Sequence, residues 1–274
     1  MKLSLSEIST VNATFGEDVV AYAAAGLDGI GIWEFKLSRD DEANLLMLDR
    51  SGLGVSNCIP AIPSILPLAI PGMEGPSDPA ERIEALCASM GRLAAYRPAS
   101  VLCLTGPVGE RDPEEAYGIV VDGMKQVAAA ARAAGVPRGL DPTHESGSHQ
   151  SSILTTIGEA IELLDEAALD DVGVMIDSVH VWDTPSLEDD IARNAARITG
   201  LHVADKLAPG APGRLLPGEG MTRPDRVLEL VLATGFDGYV DIEIFSTPEA
   251  FWGLSAAEAA RRAHDALREL TSRQ

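Results

Sequence analysis

The chain has 274 residues, of which 46% are hydrophobic, and its 42 acidic and 21 basic side chains give a formal net charge of −21. This charge, with no basic stripe to offset it, disfavours nucleic acid and anionic membranes as partners. The sequence shows no signal peptide, no membrane-spanning run and no paired-cysteine metal motif, so we expect a cytoplasmic protein whose Cys58, Cys87 and Cys103 are free thiols.

Eight short apolar runs predict buried strands, because they are rich in β-branched residues and alternate with longer stretches of helical period. In chain order the strand candidates are Leu3 to Ile8, Gly29 to Glu34, Leu53 to Asn57, Ser100 to Thr105, Arg138 to Asp141, Gly173 to Asp177, Gly200 to Ala204 and Tyr239 to Phe245. The helix candidates that follow them are residues 16–26, 39–52, 78–97, 112–135, 153–169, 186–198, 223–235 and 255–270.

Eight βα units in a chain of this length favour a closed (β/α)8 TIM barrel over a doubly wound open sheet, which usually has fewer strands. No linker or change in composition marks a boundary, so we expect one catalytic domain over residues 1–274. In such a barrel the site is built at the carboxyl ends of the strands. Polar residues that end an apolar run are therefore the first candidates.

The last four predicted strands each end in an acid or a histidine. "RGLDPTHES" contains Asp141, His144 and Glu145, "VGVMIDSVHVW" contains Asp177 and His180, "ITGLHVADK" contains His202, and "YVDIEIF" contains Glu243. Taken singly, these residues have ordinary structural roles as helix caps, ion-pair partners or loop histidines. Together at one barrel mouth, so many acids would repel one another unless a divalent cation bound them.

The oxygen and imidazole donors, with no thiolate among them, favour one divalent metal ion. Mn²⁺ is the first choice, and Mg²⁺, Co²⁺, Fe²⁺ or Zn²⁺ fit the same donors. Such an ion polarises a ketone so that a base can remove the neighbouring C–H proton. Epimerisation, isomerisation and β-elimination all start from that step, and the ligand set does not choose among them.

The motifs "GVMIDSVHVWDTP", "GLHVADK", "RLLPGEG" and "DIEIF" followed by "LSAAEAARRA" resemble the xylose isomerase-like TIM-barrel superfamily of sugar isomerases and epimerases. The resemblance covers essentially the whole chain. It implies that Asp177, His202 and Glu243 hold one divalent metal. The family's fifth-strand Glu is replaced here by Asp141, so the resemblance implies either Asp141 or Glu145 as the fourth metal ligand.

The same resemblance implies substrate contacts from His180 and from Arg214, in the loop before "PGEG". Trp33, at the end of the second predicted strand, and Trp182, after the sixth, are further candidates, because their rings can stack on a sugar or on an apolar group.

The uncharged, proline-rich stretch "NCIPAIPSILPLAIPGM" at residues 57–73 follows the third predicted strand. Its prolines restrict the chain, so it could present Ile62, Ile65, Leu66 and Leu68 as a rigid apolar wall to a substrate. Alternatively, it packs on its own barrel rim or buries a subunit interface.

"CIPAIPSILPL", together with His144 beside Glu145, is also similar to the catalytic subunits of bacterial C-glycoside deglycosidases, which belong to this superfamily. That resemblance implies a lyase that cleaves 3-oxo-C-glycosides by β-elimination, with His144 as general base and a small partner subunit. This is the leading functional hypothesis.

Two alternatives remain open. The first is a ketose epimerase or aldose-ketose isomerase that uses the same metal, with Glu243 as candidate base. The second is a non-catalytic sugar-binding subunit whose apolar loop contacts its partner. Homo-oligomer formation is compatible with each of them. A nuclease-like relative is disfavoured, because the chain has only five histidines and is strongly acidic.

Overall fold

The computed structural model describes residues 1–272 and shows a closed barrel of eight parallel strands in sequential order, with the eighth strand pairing to the first. The TIM-barrel prediction is confirmed. The strands are β1 (Lys2–Ser6), β2 (Gly29–Trp33), β3 (Gly54–Ile59), β4 (Val101–Cys103), β5 (Arg138–Leu140), β6 (Gly173–Asp177), β7 (Ile198–Val203) and β8 (Tyr239–Ile242).

Helices pack around the barrel and place their apolar faces against it. Over the described residues the α-helices are α1 (Phe15–Ala24), α2 (Asp41–Ser51), α3 (Pro79–Leu93), α4 (Pro113–Ala134), α5 (Glu145–Ser151), α6 (Ile157–Glu166), α7 (Ser178–Val181), α8 (Leu187–Arg193), α9 (Pro224–Ala233) and α10 (Ala256–Ser272). None of these described helices combines the length and the apolar character needed to cross a bilayer.

Local signals explain the helix ends that the sequence predicts. Asp78 and Asp112 each precede a proline and accept hydrogen bonds from backbone N–H groups in the first turns of α3 and α4. Gly52 and Gly135 end α2 and α4 in the left-handed conformation that glycine adopts without strain. Each predicted strand and helix is therefore present, with ends shifted by a few residues.

Two short helices were not predicted, and both lie directly after strands that carry candidate site residues. Helix α5 follows β5 and α7 follows β6. Segments of seven and four residues are too short to show a helical period, so no pattern in the sequence indicates them. His144 is the residue that caps the start of α5, and His180 lies within α7, so these two helices position both histidines.

The proline-rich stretch packs on the barrel's own helices. Ile65, Leu66 and Leu68 are buried, and Ile65 lies so close to Gly123 of α4 that a side chain there would collide with it. Arg82 of α3, also fully buried, donates hydrogen bonds to the carbonyls of Ser64, Glu74 and Pro76. The apolar-wall interpretation is thus wrong for these three side chains, and the rim-packing alternative describes the loop.

Candidate metal centre and barrel mouth

Strand register brings the acids and the histidine together. Asp177 on β6 pairs in register with His202 on β7, which in turn pairs with Asp241 on β8. Neighbouring residues in parallel register point to the same face of a sheet, here the barrel interior. Glu243 follows β8 and shares the inward face of Asp241 two residues earlier.

Asp177, His202 and Glu243 form a compact buried group. One potential ligand atom from each lies within 4.8 Å of the others, and all three residues are buried. His202 Nδ1 lies 3.5 Å from Glu243 Oε2. The three residues that the family resemblance singles out are therefore brought together by the fold.

Arg214 places a positive charge between two of these acids. Its guanidinium lies 2.8 Å from Asp177 Oδ2 and 2.8 Å from Glu243 Oε2, and it stacks 5.0 Å from the centre of the Phe245 ring. Burial alone would raise the pKa of Asp177, but the opposing contributions, the positive charge of Arg214 first among them, hold that pKa below its usual value. Arg214 thus forms an ion pair with both Asp177 and Glu243.

The long loop between β7 and α9 carries Arg214 into the mouth because Asp205 folds it back. The Asp205 carboxylate accepts hydrogen bonds from the backbone N–H groups of Gly218, Gly220 and Thr222 at 2.8–3.1 Å. The backbones of Asp205 and Leu215 also bond to each other in both directions, at 2.8 and 2.9 Å. The residue that follows Asp205, Lys206, is half-buried, and burial and the charge of Arg214 lower its pKa.

Asp141 and Glu145 lie in different surroundings. Asp141 is buried, and burial together with the charges of Asp177 and Glu243 raises its pKa well above the ordinary value. Glu145 is exposed in the first turn of α5. Asp141 lies outside the group of three, but the charges of Asp177 and Glu243 act on its carboxyl group.

The donor atoms fit a divalent cation. Among the described residues, the buried side-chain atoms without a hydrogen-bond partner include Asp141 Oδ1, Asp177 Oδ2 and both ring nitrogens of His202, although Asp177 Oδ2 does make the ion pair with Arg214. Buried acceptors without partners are costly, and a cation bound among them would remove that cost. Carboxylate oxygens and an imidazole suit several divalent metals.

His180 is a neutral group beside this centre. Its Nε2 lies 3.8 Å from Asp177 Oδ2 and 3.4 Å from an Arg214 nitrogen. Burial lowers the pKa of His180 to about 3, with the nearby positive charges adding to the effect and Asp177 opposing it. His180 therefore offers a hydrogen bond at neutral pH without adding charge.

His144 and Trp182 lie together nearer the solvent. Their rings stack with centroids 6.3 Å apart and an interplanar angle of 19°. His144 Nε2 lies 3.0 Å from Asp183 Oδ1, and its Nδ1 accepts a hydrogen bond from the Ser146 N–H at 3.1 Å. Both ring nitrogens are engaged, so His144 would have to release one bond to accept a proton from a substrate.

Trp33 is fixed in an apolar layer at the mouth. It is buried, its indole N–H donates to Ser6 Oγ at 2.9 Å, and its ring packs edge-on against Phe245 at 5.8 Å. Its other neighbour, Phe35, lies 5.7 Å away and is 54% exposed. The buried ring of Trp33 thus packs against the exposed ring of Phe35 and has little exposed surface of its own.

Sequence reasoning missed Asp241. It is buried inside the barrel, where burial raises its pKa to about 7. The signal was present in "YVDIEIF", because residues two apart on a strand share a face, and Asp241 is two residues before Glu243.

The comparisons with known proteins agree with this architecture. The family model described as xylose isomerase-like TIM barrel matches residues 19–270, and the chain belongs to that family. Inosose isomerase of Halalkalibacterium halodurans is 28% identical over 145 residues, a match that spans 50% of each chain.

Two solved structures share the fold over nearly their full length. A protein of Sinorhizobium meliloti 1021 superposes with a TM-score of 0.87 at 24% identity, covering 98% of both chains. The 3-keto-D-glucoside 4-epimerase of E. coli superposes with a TM-score of 0.75 at 17% identity, covering 99% of both.

Proposed function

We propose that this protein is a divalent-metal-dependent isomerase or epimerase acting on a sugar or polyol that carries a ketone. The observation that carries the proposal is the buried group of Asp177, His202 and Glu243 within 4.8 Å, with Arg214 ion-paired to both acids. The partial match to an inosose isomerase supports a keto-polyol or ketose as substrate.

The residues that would hold the ion are Asp177, His202 and Glu243, with Asp141 as the fourth ligand. Asp141 is preferred to Glu145 because it is buried and its carboxyl group feels the charges of Asp177 and Glu243. A divalent cation in this group supplies Lewis acidity that polarises the ketone and makes the neighbouring C–H bond acidic.

The chain's own groups perform the proton transfer. Glu243 removes the proton from the carbon next to the ketone, and the electron pair moves onto the ketone oxygen to give an enediolate. Returning the proton to the former ketone carbon, while the hydroxyl proton passes from one oxygen to the other, moves the carbonyl. Protonating the original carbon on its opposite face inverts that carbon. Arg214 holds Glu243 in place through its 2.8 Å contact, and neutral His180 binds a substrate hydroxyl.

The test is proton exchange, because it detects the shared first step whatever the product. The Mn²⁺-loaded protein is incubated in D₂O with an inosose, a ketohexose and a 3-keto-glucoside, and NMR follows deuterium at the carbon next to the ketone. We expect incorporation with at least one substrate, its loss on chelation and in Asp177→Asn, and its retention in the matched control Glu145→Gln. Sugar binding without any incorporation would instead indicate a non-catalytic subunit.

A second candidate, the β-elimination lyase on 3-oxo-C-glycosides, is favoured by the apolar and aromatic surface at the mouth. Phe35 beside Trp33, and Trp182 stacked on His144, offer rings to an aglycone. In this scheme His144 removes the proton at C2, a C1=C2 double bond forms as the C1–aglycone bond breaks, and the aglycone carbon that keeps the electron pair of that bond takes up a proton. Release of free aglycone from a 3-oxo-C-glucoside would identify the lyase, and an epimer or isomer the first proposal.

A further inference from the structure

One buried acid of the barrel interior has no role in the scheme above. Asp241 on β8 is 1% exposed and lies in register with His202 on β7 on one side and with Ser4 on β1 on the other. Asp241 comes two residues before Glu243 on the same face of the strand, so it lies farther from the mouth of the barrel. A buried carboxylate in such a place is expensive unless its neighbours satisfy it.

The imidazole of His202 bridges Asp241 and the candidate metal centre. Its Nδ1 faces Glu243 Oε2 at 3.5 Å, and its Nε2 faces Asp241 Oδ2 at 3.4 Å. His202 itself is fully buried. A neutral imidazole carries its proton on one nitrogen and a lone pair on the other, so a ring that offers Nδ1 to a cation must place an N–H at Nε2.

The neighbours of Asp241 donate hydrogen bonds to both of its oxygens. Its Oδ1 receives hydrogen bonds from the hydroxyls of Ser4 and Ser56, and its Oδ2 receives one from the Asn57 amide at 3.0 Å. Each of these partners donates to the carboxylate. Gly31 on β2 provides the space, because a Cβ there would come within 2.7 Å of Asp241 Oδ2.

We infer that Asp241 is a positioning residue that accepts the Nε2 proton of His202 and so keeps Nδ1 directed at the cation. The inference rests on the proposed function, because it assigns His202 a metal. Partners of this kind fix the tautomer and the orientation of a metal-binding histidine, and losing one typically weakens metal binding 10- to 100-fold. A role confined to satisfying Ser4, Ser56 and Asn57 would leave the histidine tautomer and the metal affinity unaffected.

The first measurement is the tautomer of His202 in the full-length protein, read from long-range ¹⁵N NMR spectra without metal and with Zn²⁺. His202→Ala assigns the resonance. We expect a proton on Nε2 in both samples, and a shift away from that tautomer in metal-free Asp241→Ala. An unprotonated Nε2 in the wild type would overturn the inference even if the protein binds metal.

The second measurement is Mn²⁺ and Zn²⁺ affinity by competition with a chromophoric chelator. We expect Asp241→Asn and Asp241→Ala to bind each ion about 10- to 100-fold more weakly than the wild type. The control Ser56→Ala removes one hydrogen-bond donor to Asp241 but no contact of His202. Its metal affinity should therefore stay within about threefold of the wild-type value. Equal affinity in folded Asp241→Ala and wild type would refute the positioning role.

The two proposals fail in different ways. A wild type that binds neither ion contradicts the proposed function, while the tautomer experiment still decides whether Asp241 holds the imidazole. Normal metal binding in a folded Asp241→Ala contradicts only the positioning role. Should Asp241→Ala fail to fold, the wild-type tautomer and the affinity of Asp241→Asn remain decisive.

Discussion

Replacing Arg214 by methionine tests the electrostatics of the centre directly. The guanidinium contacts Asp177 and Glu243 at 2.8 Å each and has a side-chain exposure of 9%. Methionine keeps much of the length and apolar volume of the side chain but removes the charge. Two buried acids then lose their counter-charge, and removing one partner of a buried ion pair typically costs about 3–5 kcal/mol.

Proton uptake by the buried acids limits how much stability Arg214→Met loses. At an effective dielectric constant of about 20, two unit charges about 4 Å apart attract each other by about 4 kcal/mol, so losing two such pairs would by itself suggest a cost of about twice that amount. An isolated acid instead takes up a proton, and for an Asp of ordinary pKa this costs about 4 kcal/mol at about pH 7. We therefore expect Arg214→Met to lower the unfolding free energy of the metal-free protein by about 3–5 kcal/mol near neutral pH.

The sign of the pH dependence follows from the same reasoning. In the wild type, Arg214 helps to hold the pKa of Asp177 below its usual value, and its removal would raise that pKa above the unfolded value. The folded variant then binds a proton that the unfolded chain lacks, so its deficit should shrink as the pH falls. At about pH 5 proton uptake costs only about 1.5 kcal/mol, and the deficit should approach that size.

Urea unfolding at both pH values, with chelator and with excess Mn²⁺, measures these quantities. Because a cation replaces the missing positive charge, Mn²⁺ should stabilise Arg214→Met by more than it stabilises the wild type. An unfolding free energy within about 1 kcal/mol of the wild type in chelator, or equal stabilisation of both proteins by Mn²⁺, would refute the reasoning.

Three other predictions concern the ligand set, the candidate base and the proline-rich loop. In a chelator competition, Asp141→Asn should bind Mn²⁺ at least tenfold more weakly than the wild type, and Glu145→Gln should bind it equally well. Weaker binding by Glu145→Gln than by Asp141→Asn would make Glu145 the fourth ligand. His144→Ala should keep full metal affinity, because the ring nitrogens of His144 contact Asp183 and Ser146 and not the candidate metal ligands. The same variant should abolish any aglycone release. Loss of metal binding in this variant would contradict the position of His144 outside the metal centre. Arg82→Met should lower the free energy of unfolding in urea by about 3–5 kcal/mol, since it leaves loop carbonyls without hydrogen-bond donors. The control Arg97→Met, at an exposed arginine, should change that free energy by less than about 1 kcal/mol. Similar losses in both variants would show that Arg82 does not anchor the loop.

Much of the fold was predictable because each βα unit carries its own signals. Apolar runs such as Gly173–Asp177 are long enough to indicate a strand, and Asp112 before Pro113 marks the start of a helix. The motifs around Asp177, His202 and Glu243 also predicted that these three side chains would meet. That prediction needed only the rule that parallel strands present their carboxyl ends at the same mouth of the barrel.

Other features depended on contacts between residues far apart in the chain. The sequence of residues 57–73 is equally compatible with an exposed wall and with a packed loop, and only the positions of α3 and α4 decide that Ile65 and Leu66 are buried. Likewise, the choice between Asp141 and Glu145 depends on burial, which the adjacent sequence does not encode.

The sequence by itself determined the barrel, its family and the residue types at the strand ends, because strand and helix periods and local caps are properties of neighbouring residues. Only the tertiary structure decided that Arg214 pairs with Asp177 and Glu243, and that Asp241 faces His202. These contacts arise from barrel closure and from the way Asp205 folds its loop. They set burial and charge, and through burial and charge the chemistry of the site.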